Sequence, residues 1–278
     1  MGIVAAIQMN SGHVVADNLA AAARLLREAK DAGADIACLP ENFAFMGIRD
    51  GDKRAVAEAD QHGPIQDFLA ATSRSLGLWI LAGTIGIKSA PDARVANASL
   101  LYDATGRRAA RYDKIHLFDV AIPGRDEEYR ESTHVEPGSD VVIVDTPVGK
   151  LGMSVCYDMR FPELYRSMSA RGTQWLAMPA AFTVPTGRAH WETLLRARAI
   201  ENLCYVVAPA QVGIHSSGRE TYGDSLIADF WGKVLARLAD GAGVITAAID
   251  LAEEAKTRER FPALNNRRLK ADAMAVSA

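Results

Sequence analysis

Three reactive side chains close apolar runs in this 278-residue chain. Glu41 follows Ala37-Cys38-Leu39-Pro40, Lys114 sits within Tyr112-Asp113-Lys114-Ile115-His116-Leu117-Phe118, and Cys156 ends Met153-Ser154-Val155. A carboxyl at the mouth of a buried strand is placed for proton transfer, because partial burial lifts its pKa toward neutrality. A fixed ammonium stabilises an oxyanion as it forms. A thiol followed within a few residues by a helix, with Pro162 suited to the first turn, has a lowered pKa and a nucleophilic thiolate. Each residue also has a plainer reading. Glu41 can cap a helix or pair at the surface, Lys114 can reach solvent from a strand end, and Cys156 can be a buried inert cysteine. Cys38 and Cys204 lie inside apolar runs and are read as inert, whereas Cys156 stands where a strand gives way to a turn.

The other chemistries find less support. His116 and His190 lie in structured segments and His13, His62, His134 and His215 in turn-like ones, so nothing selects a histidine partner for the thiol. HxxxH and HExxH are absent, which argues against a metal, and GxGxxG and the P-loop pattern are absent, which argues against a nucleotide. No cofactor is expected. Net charge is −3, with acids and bases interspersed, so nucleic acid is excluded as a partner. No apolar run approaches the roughly 20 residues that cross a bilayer. The start, Met1-Gly2-Ile3-Val4, reads as a first strand, and Ala6 stands where myristoylation wants Ser or Thr. Three scattered cysteines form no disulfide framework, which places the protein in the reducing cytoplasm.

The elements that must position these residues alternate short apolar strands with amphipathic helices. Strands are expected over 3–9, 35–39, 78–87, 175–180, 204–209 and 244–249, and helices over 17–32, 65–75, 161–170 and 189–202, the first capped by Asp17 or Asn18. Hairpins are expected over 96–112, 141–155 and 225–238, with a charged helix after residue 249. The polar stretch 119–139 has no clean period, and such a stretch inside a compact domain is usually functional. The pattern predicts an α/β layered sandwich with a single domain over 1–270 and a C-terminal tail over 271–278.

Taken together, Leu39-Pro40-Glu41, Asp113 to Asp119 and Val155-Cys156-Tyr157-Asp158-Met159-Arg160-Phe161-Pro162-Glu163-Leu164 resemble the nitrilase, or carbon–nitrogen hydrolase, superfamily. The similarity runs from Ile3 to about Arg268. It implies a four-layer αββα sandwich and a homodimer joined through an outer helical layer. It implies Glu41 as general base and acid, Lys114 and the Tyr157 N–H on the tetrahedral oxygen, Cys156 as nucleophile, and Glu131 as an assisting carboxylate. By the same resemblance Arg160 would pair with a substrate carboxylate, with Tyr129, Phe182 and Thr186 lining the pocket. On residue chemistry alone, an ion pair of Arg160 with Asp158 or Glu163 stands as an alternative.

Gly187 to Glu192 and Leu195 to Glu201 narrow the resemblance to the Nit subgroup. That subgroup comprises deaminated glutathione amidases and ω-amidases. The implied reaction converts a small 2-oxo acid amide carrying a carboxylate into a carboxylic acid and ammonia through a cysteine thioester. Carbamoylase, aliphatic amidase and nitrilase are alternatives within the superfamily. The chain departs from its relatives at Arg188, where proline is common, and at Asp224, where histidine is common.

Overall fold

A computed structural model describes residues 1–89, 94–124 and 127–269. The expected tail 271–278 lies outside the described residues. Among those described, two large mixed sheets form the centre. The first runs in the order Gly243–Ile249, Gly2–Gln8, Ile36–Cys38, Trp79–Leu81, Val95–Tyr102, Ile85–Lys88, with Arg108–Asp113 and Val135–Glu136 also paired to Val95–Tyr102. The second runs Ile143–Thr146, Gly149–Met153, Trp175–Ala177, Tyr205–Ala208, Ser225–Ala228, Val234–Leu238.

The four layers follow from the period-2 alternation of the strands. Ala5, Ile7, Ala37 and Leu39 point outward and bury Leu25, Leu26 and Leu69 of two helices, α1 (Val15–Asp31) and α2 (Pro64–Leu76). Val4, Ala6, Ile36 and Cys38 point the other way, into the core shared with Met153, Trp175 and Val206 of the second sheet. That core continues into Tyr165 and Met168 of α3 (Pro162–Ala170) and Trp191 and Leu195 of α4 (Val184–Asn202). The charged helix is α5 (Leu251–Arg260), capped by Asp250, whose carboxylate accepts the N–H groups of Ala252 and Glu253. The αββα sandwich is therefore the architecture, and no helix among the described residues is long and apolar enough to cross a membrane.

Several boundaries differ from expectation, each for a tertiary reason. α1 begins at Val15 without a side-chain cap. Asn18 lies inside it, buried, with its amide bonded to Gly12 N–H, Gly12 O and Ala44 O. α4 begins at Val184 rather than 189, because Pro185 is preset for a first turn that the Gly187 N–H closes onto Thr183 O. The irregular stretch carries one small hairpin, Asp119–Ala121 with Glu128–Arg130, and a second hairpin, Val212–Ile214 with Glu220–Tyr222, gave no readable alternation.

The strand expected over 78–87 breaks into Trp79–Leu81 and Ile85–Lys88. Both halves pair with Val95–Tyr102: Leu81 faces Leu101 but Ile85 faces Ala98, so one residue is extra. This bulge carries Gly83 at φ +46, with room for no side chain: a Cβ there would lie 1.8 Å from the Pro40 carbonyl oxygen. The bulge thus lets the chain touch the residue that precedes Glu41. Gly83→Ala is expected to cost at least about 2 kcal/mol in urea unfolding, from strain plus a backbone clash. Gly77→Ala is the control: it has the same sign of φ but open space around it. Equal costs for the two would show that close packing against Pro40 contributes nothing.

Candidate active site

Glu41 follows the strand Ile36–Cys38, Lys114 follows Arg108–Asp113, Glu131 opens a 3-10 turn (Glu131–Thr133), and Cys156 opens another (Cys156–Arg160). Folding brings these four side chains to one cavity of about 560 Å³. Glu41, Lys114 and Cys156 are buried, with Lys114 only 2% exposed. The Lys114 ammonium donates to Glu41 Oε1 at 3.1 Å and Glu131 Oε2 at 2.8 Å. Glu41 Oε2 accepts the Ala181 N–H at 3.0 Å, and Glu131 Oε2 also accepts the Phe118 N–H at 2.8 Å.

Asn97, buried in the strand Val95–Tyr102, ties both carboxylates together. Its amide nitrogen donates to Glu41 Oε1 at 3.0 Å and Glu131 Oε1 at 3.2 Å, while its oxygen accepts from Lys53 Nζ at 3.1 Å. Sequence reasoning overlooked Asn97 and Lys53. The signal for Asn97 was present, since a polar residue inside an eight-residue apolar strand is the informative kind of exception. Lys53 gave none, because its segment Asp50–Val56 has no apolar period.

The electrostatics correct two expectations. Burial pushes the Glu41 carboxyl up, but Lys114 and then Lys53 outweigh burial and hold it below the usual glutamate range. Burial pushes the Cys156 thiol up, and the neighbouring Glu41 carboxylate pushes it further, so the thiol is raised rather than lowered. Burial acts to lower Lys114, but Glu131, Glu41 and Cys156 prevail and raise it well above the ordinary lysine value. The resting site is therefore a thiol beside a carboxylate and a permanent ammonium. Proton removal from sulfur must accompany bond formation, and Glu41 is the adjacent acceptor.

Cys156 has φ +49, a conformation that L side chains rarely adopt. Its N–H bonds to Pro179 O at 2.9 Å, and as the second residue of a helical turn Tyr157 presents an N–H with no intrahelical partner. Asp158, fully buried, fixes the turn: it accepts Val155 N–H at 2.8 Å, Tyr112 OH at 2.7 Å and His116 N–H at 3.0 Å, and its Oδ1 lies 2.8 Å from His116 Nδ1. His116 also stacks on Phe161 with centroids 3.7 Å apart. Its ring supports the turn from outside the cavity.

The expected substrate-binding residues divide. Tyr129, Phe182 and Thr186 line the cavity. The side chains of Tyr157 and Arg160 do not: the Tyr157 ring packs edge-on to Phe118 and Phe161, and the Arg160 guanidinium lies over the Tyr157 and Phe182 rings with Nη1 3.3 Å from His190 Nδ1. Arg160 makes no ion pair with Asp158 or Glu163, since Asp158 spends its oxygens on the turn and Tyr112. The departures also lie elsewhere. Asp224 is buried in a bidentate pair with Arg237, and Arg188 is exposed outside the cavity.

The chain is similar to known proteins along nearly its whole length. A model of the carbon-nitrogen hydrolase family matches residues 3–259. The chain is 40% identical over 267 residues to a deaminated glutathione amidase of Yersinia enterocolitica, covering 95% of this chain and 92% of that one. It is 41% identical over 268 residues to a deaminated glutathione amidase of Dictyostelium discoideum, covering 94% and 92%. The crystal structure of the Caenorhabditis elegans NitFhit protein superposes with a TM-score of 0.89 at 39% identity, over 96% of this chain and 65% of that one. With the family model spanning nearly the whole fold, the chain belongs to the carbon–nitrogen hydrolase family and is an enzyme that hydrolyses carbon–nitrogen bonds.

Proposed function

We propose that this amidase hydrolyses the amide of a 2-oxo acid of the deaminated-glutathione kind through a thioester on Cys156. One observation carries the reading: Glu41, Lys114, Glu131 and Cys156, from four separate segments, meet in a single cavity. Cys156 Sγ attacks the carbonyl carbon while Glu41 takes the thiol proton. The oxygen becomes an oxyanion held by Lys114 and the Tyr157 N–H, where one such donor is worth roughly 3 to 4 kcal/mol. Collapse breaks the C–N bond, and Glu41 returns its proton to the leaving nitrogen. Water then adds to the thioester with Glu41 as base, releasing the carboxylic acid and restoring the thiol. Glu131, bonded to Lys114, keeps the ammonium aimed at the oxygen.

The leaving nitrogen identifies the substrate. A primary carboxamide, as in an ω-amidase reaction, yields ammonia. A deaminated-glutathione-like compound, whose side-chain carboxyl is already joined to a peptide, yields an amine. The names of the relatives and a cavity of about 560 Å³ favour the second. Cys156→Ala is expected to reduce amide hydrolysis by about ten-thousandfold and Glu41→Gln by about a thousandfold, read by parallel assays for ammonia and amine. Full activity of either variant would sink the mechanism.

The pH profile has a defined sign. Activity requires ionised Glu41, whose pKa is lowered, so kcat/KM is full through neutral pH and falls only as pH drops below the usual glutamate range. The raised thiol puts no alkaline limb near neutrality. An acid limb near the ordinary histidine value of about 6.5 would instead assign the base to an imidazole.

The same reading includes a homodimer and a reducing compartment. Three free buried cysteines agree with the latter. Ile200, Trp231 and Phe261, each about half exposed, support the former: Trp231 and Phe261 lie edge to face at 5.4 Å, and Ile200 abuts the adjoining Gly232. Sedimentation should give a dimer at micromolar concentration, and Trp231→Glu should shift it to monomer. A wild-type monomer under those conditions contradicts the assembly.

A further inference from the structure

The cations around the cavity are not equivalent. Lys114 and Lys53 spend their donors on Glu41, Glu131 and Asn97. Arg130 pairs with Glu128 at 2.5 Å. Arg160 lies outside, over the Tyr157 and Phe182 rings. Arg49 also lines the cavity but is an exposed residue, whereas Arg219 is half-buried. It comes from the hairpin Val212–Ile214 and Glu220–Tyr222, at the end of the connecting loop, and it lines the cavity.

Its guanidinium is held in place without being neutralised. It lies 5.1 Å from the Tyr129 ring centroid, and its Nη2 donates to Ala181 O at 3.0 Å. Ala181 is the residue whose N–H binds the Glu41 carboxylate, so Arg219 is tied one peptide away from the proposed base. Arg219 Nε is buried and has no hydrogen-bond partner, and the residue makes no ion pair among the described residues. Glu220 lines the same cavity and makes no ion pair with Arg219. A buried guanidinium N–H without an acceptor is costly, and its planar fork matches a carboxylate edge. The Tyr129 ring holds that fork from one side.

From this geometry we infer that Arg219, not Arg160, binds the substrate carboxylate. The inference rests on the amidase reading above and names the substrate class as amides bearing a free carboxylate. The carboxylate would accept from the guanidinium where it lines the cavity. Arg219 is thus a specificity residue.

The test compares an amide bearing a free carboxylate with its methyl ester, read by amine or ammonia release. Wild type should prefer the acid. Arg219→Gln should lose about 10- to 100-fold of that preference, the usual effect of removing a charge-assisted bidentate contact, with the loss in KM rather than kcat. Arg219→Lys, with charge but no fork, should recover part. Arg160→Gln should keep the wild-type preference. Equal losses of Arg219→Gln on acid and ester, or loss of preference in Arg160→Gln, would overturn the assignment. If wild type cleaves no amide, the amidase reading falls by itself. Calorimetric binding of the acid to Cys156→Ala, with and without Arg219→Gln, then decides the anchor: unchanged affinity refutes it, and a 10- to 100-fold loss supports it.

Discussion

Two carboxylates share one buried ammonium, and the rest of the site depends on that charge balance. An unpaired ammonium as enclosed as Lys114 would pay a desolvation cost of several kcal/mol. Glu41 and Glu131 offset it at 3.1 and 2.8 Å. Asn97 then links both acids to a second ammonium on Lys53, so charge nearly cancels within a few ångströms. The arrangement holds two strand ends, the strand Val95–Tyr102 and the 3-10 segments of Glu131 and Lys53 in register, because moving any one of them strands a polar or charged group. It also keeps Glu41 ionised and Lys114 protonated, the two states that the chemistry needs.

A second constraint sits beneath the nucleophile. Cys156 adopts a left-handed conformation that costs on the order of 1–3 kcal/mol. Asp158 offsets it by gathering the Val155 N–H, the Tyr112 hydroxyl and His116 around one buried carboxylate. Arg198 adds a bond to Met159 O at 2.9 Å from α4. The strain turns the thiol toward Glu41 and leaves the following N–H unspent. A histidine next to the nucleophile segment is therefore part of the scaffold, which is why no histidine partner for the thiol could be picked out by spacing.

The residues proposed to recognise the substrate come from parts of the chain remote from the nucleophile. Tyr129 comes from the small hairpin of the irregular stretch, Phe182 from the approach to α4, Thr186 from its first turn, and Arg219 from the hairpin after it. The departure at Asp224 finds its explanation in the Arg237 pair: the substitution is matched by an ion pair on the adjoining strand. Nothing in the structure explains the arginine at 188.

The sequence by itself determined the reactive types and the layers. Glu41 and Cys156 each end an apolar run, Lys114 closes a strand beside apolar Ile115, and period-2 strands between amphipathic helices demand stacked sheets with helices outside. Those signals are local, readable from neighbours a few residues away. The tertiary structure decided what depends on distances between segments far apart in the chain: the Asn97 and Lys53 bridge, the bulge at Gly83, the place of Arg160 outside the cavity and of Arg219 within it. It also decided the direction of the pKa shifts. Burial alone would have raised Glu41, and the sense reversed because Lys114, 73 positions later, folds back to 3.1 Å. Coulomb energy varies with separation in space and with local dielectric, and neither is written in residue order.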